Sequence, residues 1–428
     1  MNGLRYLCAL SLSCLVWVSV PGDARAAEPP SLEALWQIVQ QQQAQIETLT
    51  QALDGARAQI ANTEQRARIT EEQLDLTAGY LEKVDQGRGS GRASRTTLGG
   101  YGEMHYNNLD AEDSSRDLKE VDFHRFVAFV GHEFTDRIRF FSEVELEHSL
   151  VQDTADGSSG GEVEVEQAYL EFDLNESLTA RGGLFLLPIG ILNETHEPNT
   201  FYGVERNEVE SIIIPSTWWE GGAALSGHYS NGLSWDFAVH SGLETPTSGS
   251  SAYRIRSGRQ KVSNASADNL ALTARLKYTG VPGLELAASV NYQDDASQIG
   301  GDGLEDGTLV SVHGIWSRGP FNLRALWSQW NFNGDAIELA DADRQTGWYV
   351  EPSLRLGRPA HDWGVYSRYQ DLEGARAQDQ FDQWEVGVNY WPTGNVVLKF
   401  DYRDRSHDLL SAQDRDFKGI DLGVGYQF

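Results

Sequence analysis

From Thr96 to Phe428 the chain runs in segments of about ten residues that alternate apolar and polar side chains, the repeat of a strand with a different medium on each face. Leu233, Trp235, Phe237 and Val239 are one such series. Leu270, Leu272, Ala274, Leu276 and Tyr278 oppose Thr273, Arg275 and Lys277. Val396, Leu398, Phe400 and Tyr402 oppose Lys399, Asp401 and Arg403. The last segment sets Ile420, Leu422, Val424, Tyr426 and Phe428 against Gly419, Asp421, Gly423 and Gln427. None of these segments approaches the roughly 20 consecutive apolar residues that a spanning helix requires. A soluble β-sandwich also alternates, so the connections must separate the two folds.

The connections alternate in length. Short ones fall near 132–137, 175–177, 230–232, 280–283, 318–320, 357–360 and 392–395, most of them carrying Gly, Pro or Asn as tight turns require. Long ones fall near 108–119, 150–161, 187–217, 243–268, 294–307, 332–344, 372–379 and 406–416. Strict alternation of short and long predicts an all-β, 16-stranded antiparallel transmembrane barrel with short periplasmic turns and longer external loops. A sandwich would have no use for the asymmetry. The hydrophobic fraction of 40% fits a barrel that is apolar on its outer face only, with water where a core would be.

Residues 1–26 read as a signal peptide: Arg5, an apolar run from Leu7 to Val20, then Ala24-Arg25-Ala26 before a cut at Ala27. Both cysteines, Cys8 and Cys14, lie in the removed part. Ser11, three residues before Cys14, stands where a lipoprotein signal has leucine, which argues against lipid attachment. Residues 27–86 keep a seven-residue beat through Leu32, Val39, Ile46, Leu53, Ile60, Ala67, Leu74 and Leu81. The second series, Leu35, Gln42, Leu49, Ala56, Thr63, Thr70, Thr77 and Val84, is half polar. This predicts a periplasmic α-helical coiled coil of roughly 80 Å. Residues 87–95, rich in glycine and arginine, form a linker to the barrel at 96–428.

Three runs carry a family resemblance. His124-Arg125-Phe126-Val127-Ala128-Phe129-Val130-Gly131, Phe140-Phe141-Ser142-Glu143-Val144-Glu145-Leu146-Glu147 and Val165-Glu166-Gln167-Ala168-Tyr169-Leu170-Glu171-Phe172 resemble successive strands of the phosphate-selective porin (O/P-type) superfamily. Gly182 to Gly190 is similar to that superfamily's run into the third loop, and Trp218-Trp219-Glu220-Gly221-Gly222 to its return strand. The layout also resembles the branch with an N-terminal coiled coil, the dicarboxylate-type and siderophore-type porins. The resemblance implies a homotrimer in the bacterial outer membrane, in contact with lipid and lipopolysaccharide, with loop three folded into each pore. Through the coil, peptidoglycan or periplasmic proteins become further partners.

The longest connection, 187–217, holds Glu194, Glu197, Glu205, Glu208 and Glu210 against a single Arg206. Folded inward, these six would form the constriction and favour cations and polar neutrals. That departs from the family name, which rests on pore arginines and lysines. The alternative is that the glutamates face solvent or pair with arginines of the wall. Arg139, Glu143, Glu145, Arg275, Lys277, Arg324, Arg355, Arg368, Lys399 and Arg403 are the expected pore wall, and Arg254, Arg256, Arg259 and Lys261 an external basic patch. A basic wall facing an acidic loop makes a transverse field that orients dipolar solutes.

Other chemistries find less support. A net charge of -29 argues against nucleic acid. His228-Tyr229-Ser230-Asn231-Gly232 matches the H-x-S-N-G string of outer-membrane phospholipases, but Ser230-Asn231-Gly232 is a short, periplasmic-side turn, so no enzyme is expected. The ten histidines show no metal-ligand spacing, and Asp302 to Gly307 lacks the calcium-loop pattern, so neither metal nor cofactor is expected. An energy-coupled receptor would need a plug domain where the heptads stand. A passive, substrate-preferring porin is the leading reading. An envelope-tethering barrel and a specific channel for phosphate, a dicarboxylate or a siderophore stay open.

Overall fold

The computed structural model describes residues 95–149, 161–300, 304–358 and 361–428. The expected signal peptide, the heptad helix and all but the last residue of the linker lie outside them. So do most of the second long connection and parts of the fifth long and sixth short ones.

Sixteen strands follow in order: β1 (Thr96–Ala111), β2 (Leu118–Thr135), β3 (Ile138–Glu147), β4 (Val163–Asn175), β5 (Leu178–Leu186), β6 (Trp219–His228), β7 (Leu233–His240), β8 (Ala271–Tyr278), β9 (Leu284–Gln293), β10 (Gly307–Arg318), β11 (Phe321–Phe332), β12 (Arg344–Arg358), β13 (His361–Glu373), β14 (Gln380–Thr393), β15 (Val396–His407) and β16 (Phe417–Gln427). Each pairs antiparallel with its sequence neighbours. β1 closes on β16, with Tyr101 opposite Gln427 and Ala111 opposite Phe417. Closure gives every strand two partners, which lipid demands because it supplies no hydrogen bonds of its own.

The alternation fixes which face meets lipid. Along β9, Leu286, Val290 and Tyr292 are exposed on the outside, while Ala287, Ser289, Asn291 and Gln293 are buried on the lumen side. The short turns use left-handed glycine where hairpins need it, as at Gly232 (φ 85) and Gly283 (φ 78). The first long connection is shorter than its sequence suggested. β1 runs on to Ala111 and β2 begins at Leu118, because both strands continue their ladder beyond the length that crosses a bilayer.

Two of the bulges, away from the hairpin turns, fall on β2 and β4. Glu103 faces Arg125 and His105 faces Asp122, so β2 has a bulge at its Phe123-His124 step; β4 has another around Glu166, between Glu143 and Val144 of its partner. A bulge shifts the alternation by one and re-aims side chains. Hence Asp122 and Arg125, or Glu164 and Glu166 together with Gln167, serve the lumen side by side.

The expectation of a water-filled interior needs correction. A core of buried apolar residues lies inside the barrel: Leu187, Ile189, Leu192, Ile213, Ile214 and Trp218 of the third loop pack with Tyr253 and Ile255 of the fourth loop and with Leu309, Leu326, Trp330, Tyr349 and Leu372 of the wall. The sequence hides it because lumen-facing apolar residues and loop apolar residues are each sparse, and only folding the loop inward gives them one another.

Candidate functional site

The third loop, residues 187–218, enters the lumen and is held there mainly by its own backbone. Arg125 donates to the carbonyl of His196 (2.8 Å), Arg324 to that of Thr200 (2.9 Å), Arg368 to that of Tyr202 (2.7 Å) and Lys399 to that of Gly203 (2.8 Å). The Asp401 carboxylate accepts from the Val204 N–H, and Trp330 donates to the carbonyl of Ile213. A connection without secondary structure carries many orphaned polar groups, and burying them requires partners of this kind.

The wall cations are therefore mostly engaged. Arg368 also joins Glu351 and Glu385 at 2.7 and 2.6 Å, almost wholly buried, and Arg403 joins Asp421 at 2.5 Å. Arg139 bridges Glu171 and Asp173, and Arg355 pairs with Asp362. Arg275 pairs with Asp236 and Glu194, while Lys277 is half-buried on the same strand. Glu143 is buried and receives Gln167. What reads in sequence as a free basic ladder is largely a clamp on the loop.

Three of the loop glutamates are paired, two of them with arginines of the wall. Glu194 bonds Arg275 and Glu208 bonds Arg405. Glu205 meets His105 (3.0 Å) and Asn107 (3.2 Å); burial opposes its ionisation, yet the His105 charge holds it well below the usual carboxylate range. Glu210 does not line an opening. It is fully buried and accepts from the N–H groups of Ile191 and Leu192, from Asn207 and from the Tyr349 hydroxyl, so it shapes the loop from within. Glu197 is half-exposed and has no ion-pair partner among the described residues.

The expected external basic patch is folded inward. Arg254 makes a two-pronged pair with the buried Asp379, at 2.9 and 2.8 Å. Arg256 reaches the carbonyls of Ser216 and Ser211, Arg259 that of Thr217, and Arg206 the Thr217 hydroxyl. Lys261 bonds Glu162 and Glu164. The fourth loop thus lies over the return of the third.

One side of the lumen stays open as a cavity of 610 Å³. Glu120, Asp122, Glu145, Glu147, Glu164 and Glu166 from β2 to β4 line it together with Arg206, Arg256 and Arg259 of the loops and Arg403 and Arg405 of β15, while Lys261 joins Glu164 directly. Among the described residues, Arg206, Arg256 and Arg259 have no carboxylate within ion-pair distance. Opposed charge across a narrow, poorly screened gap makes a transverse field. Beneath this flank, the rings of Tyr101, Phe129, Phe141 and Tyr169 follow one another across four strands at 5.7, 5.7 and 5.8 Å.

Histidines absent from the sequence expectations gather here. His196 lies between Glu143 and Glu166, all three buried; burial lowers its proton affinity, but the two carboxylates outweigh that and raise it well above the ordinary value. Asp122, His124 and His148 form a second group, and His105, His124 and Glu205 a third. Apart from Asp122 and His124, two residues apart on β2, their members come from different strands and loops, so local spacing could not have announced the groups.

The model of the family described as phosphate-selective porin O and P matches residues 96–428. The chain belongs to that family. An uncharacterised protein of Aquifex aeolicus is 30% identical over 353 residues, 75% of this chain and 77% of that one. The anion-selective porin from Comamonas acidovorans superposes with a TM-score of 0.54 at 12% identity, covering 78% of this chain and all (100%) of that one. The trimer form of OmpT from Vibrio cholerae gives 0.51 at 10% identity, covering 79% and 100%. At such identities the solved structures establish the fold. This porin is an outer-membrane channel by family and architecture, and the H-x-S-N-G string is a hairpin turn in which Asn231 caps the Leu233 N–H.

Proposed function

We propose that this porin is a passive diffusion channel for small hydrophilic solutes, whose path follows the open flank of the lumen and whose selectivity is set by charge opposition there. The observation that carries this is the set of three arginines without carboxylate partners among the described residues, Arg206, Arg256 and Arg259, facing Glu145, Glu147 and Glu164 across the cavity. Such a field favours dipolar solutes and lets an anion follow the arginines while a cation follows the glutamates. Because Glu194, Glu205 and Glu208 are paired and Glu210 is buried, a purely cation-selective constriction is the weaker reading, and Glu197 is the loop carboxylate best placed to add to it.

Reversal potentials of single channels in a KCl gradient test the proposal. Replacing Arg256 and Arg259 together by glutamine shifts selectivity toward cations, and Glu145→Gln with Glu147→Gln shifts it toward anions. Unchanged potentials in both double variants sink it. A second reading, a specific channel for an anionic solute, is favoured by the same arginines and predicts block of KCl current by that solute at low concentration. We also propose a homotrimer, by analogy with the OmpT trimer; a single-chain mass in mild detergent refutes it. Deleting 32–84 tests the coil: conductance survives if it only assembles or tethers.

A further inference from the structure

We propose that Asp122, His124 and His148 form a binding site for a divalent transition-metal ion on the acidic flank of the lumen. Each residue offers a ligand atom, and these atoms lie within 4.8 Å of one another. Both imidazoles turn their Nδ1 atoms onto the same carboxylate, His124 at 3.1 Å and His148 at 2.9 Å. Tetrahedral zinc with bonds of about 2.0–2.1 Å places its ligands about 3.3 Å apart, so each histidine needs to move from Asp122 by only a few tenths of an ångström, and the two imidazoles must settle about 3.3 Å from each other. The two imidazole nitrogens and one carboxylate oxygen suit zinc, nickel or copper rather than calcium or magnesium, which prefer all-oxygen shells.

Two features of the backbone bring the three side chains together. The β2 bulge at the Phe123-His124 step puts His124 at the break in the ladder, near Asp122 on the lumen side. His148 opens the turn after β3, with its N–H bonded to the His124 carbonyl and its ring on Asp122. All three side chains line the 610 Å³ cavity and are partly exposed, which leaves room for water or solute as a fourth ligand. His196 of the third loop, with Glu143 and Glu166 of the wall, is by contrast fully buried. His105 is buried, with one nitrogen toward Glu103 and the other toward Glu205, and its ring stacks on His124 at 4.5 Å. It supports the site from behind.

Purified full-length protein in mild detergent, stripped with chelator, is titrated with Zn2+ by calorimetry and with Co2+ by its ligand-field bands. The expected result is one Zn2+ per chain, a low-symmetry or tetrahedral Co2+ spectrum that Zn2+ abolishes, and proton release on binding. His124→Gln and His148→Gln each weaken binding at least tenfold; His148, half-exposed at a loop edge, is the variant least able to disturb folding, and heat-modifiable gel mobility verifies the barrel. Zn2+ affinity unchanged in both variants, or an octahedral Co2+ spectrum insensitive to them, overturns the site.

Discussion

Along β10 to β13 many lumen-facing side chains meet the apolar face of the third and fourth loops, whereas along β1 to β4 they meet polar groups of the third loop, at Arg125, His105 and Glu143, or the charged cavity, at Glu120, Asp122 and Glu147. Leu326, Trp330 and Tyr349 are buried in a core with Ile213 and Trp218, while Glu147 and His148 stand at the cavity edge. Both walls come from the same two-residue alternation. The difference arises from the loop, which leans to one side and leaves the path off-centre. Stability should therefore reside on the packed side and selectivity on the open one.

The largest effect that could break this division is expected from Arg368→Ala. It strands the buried carboxylates of Glu351 and Glu385 and frees the Tyr202 carbonyl, a loss of about 3–5 kcal/mol in urea unfolding. A loss below about 1 kcal/mol would mean the loop is held elsewhere. Trp330→Ala removes a fully buried ring and its bond to Ile213, with a cost of about 3–5 kcal/mol and noisier single-channel current as the loop loosens. On the open side, Arg259→Gln gives up one bond to the Thr217 carbonyl, a cost of about 1–2 kcal/mol, while moving the reversal potential. A destabilisation as large as that of Arg368→Ala would erase the contrast between the sides.

A pH series sharpens the boundary between them at His196. Its folded-state proton affinity is raised, so the stability it lends is fully present below its unfolded value of about 6.5 and fades as pH climbs through the higher folded value. The stability gap between the wild type and His196→Gln is thus widest in mild acid and narrows in alkali. A gap that widens with pH contradicts the ion-pair account of this anchor.

The strands were legible because lipid imposes one rule on every one of them. All sixteen appear, and the boundaries moved chiefly where β1 and β2 outrun the membrane. The site was only partly legible. The weight of acid in the third loop was visible, but its pairing with Arg275, Arg405 and His105 was not, since those partners lie about a hundred to two hundred residues away. The arginines at 254–259 looked external because their loop is long and polar. Their inward fold depends on carbonyls at 211, 216 and 217 that no local pattern reveals. The histidine groups were invisible for a related reason, since the bulges break the alternation from which facing is read.

By itself the sequence determined the barrel, its strand number and its apolar exterior, because side chains at alternate positions must suit lipid and water whatever else the chain does. Only the tertiary structure decided which side of the lumen is packed and which is open, which charges are paired, and where histidines meet. Those outcomes depend on a long loop satisfying its backbone against distant walls, and the desolvation of each polar group is set by neighbours that folding alone brings together.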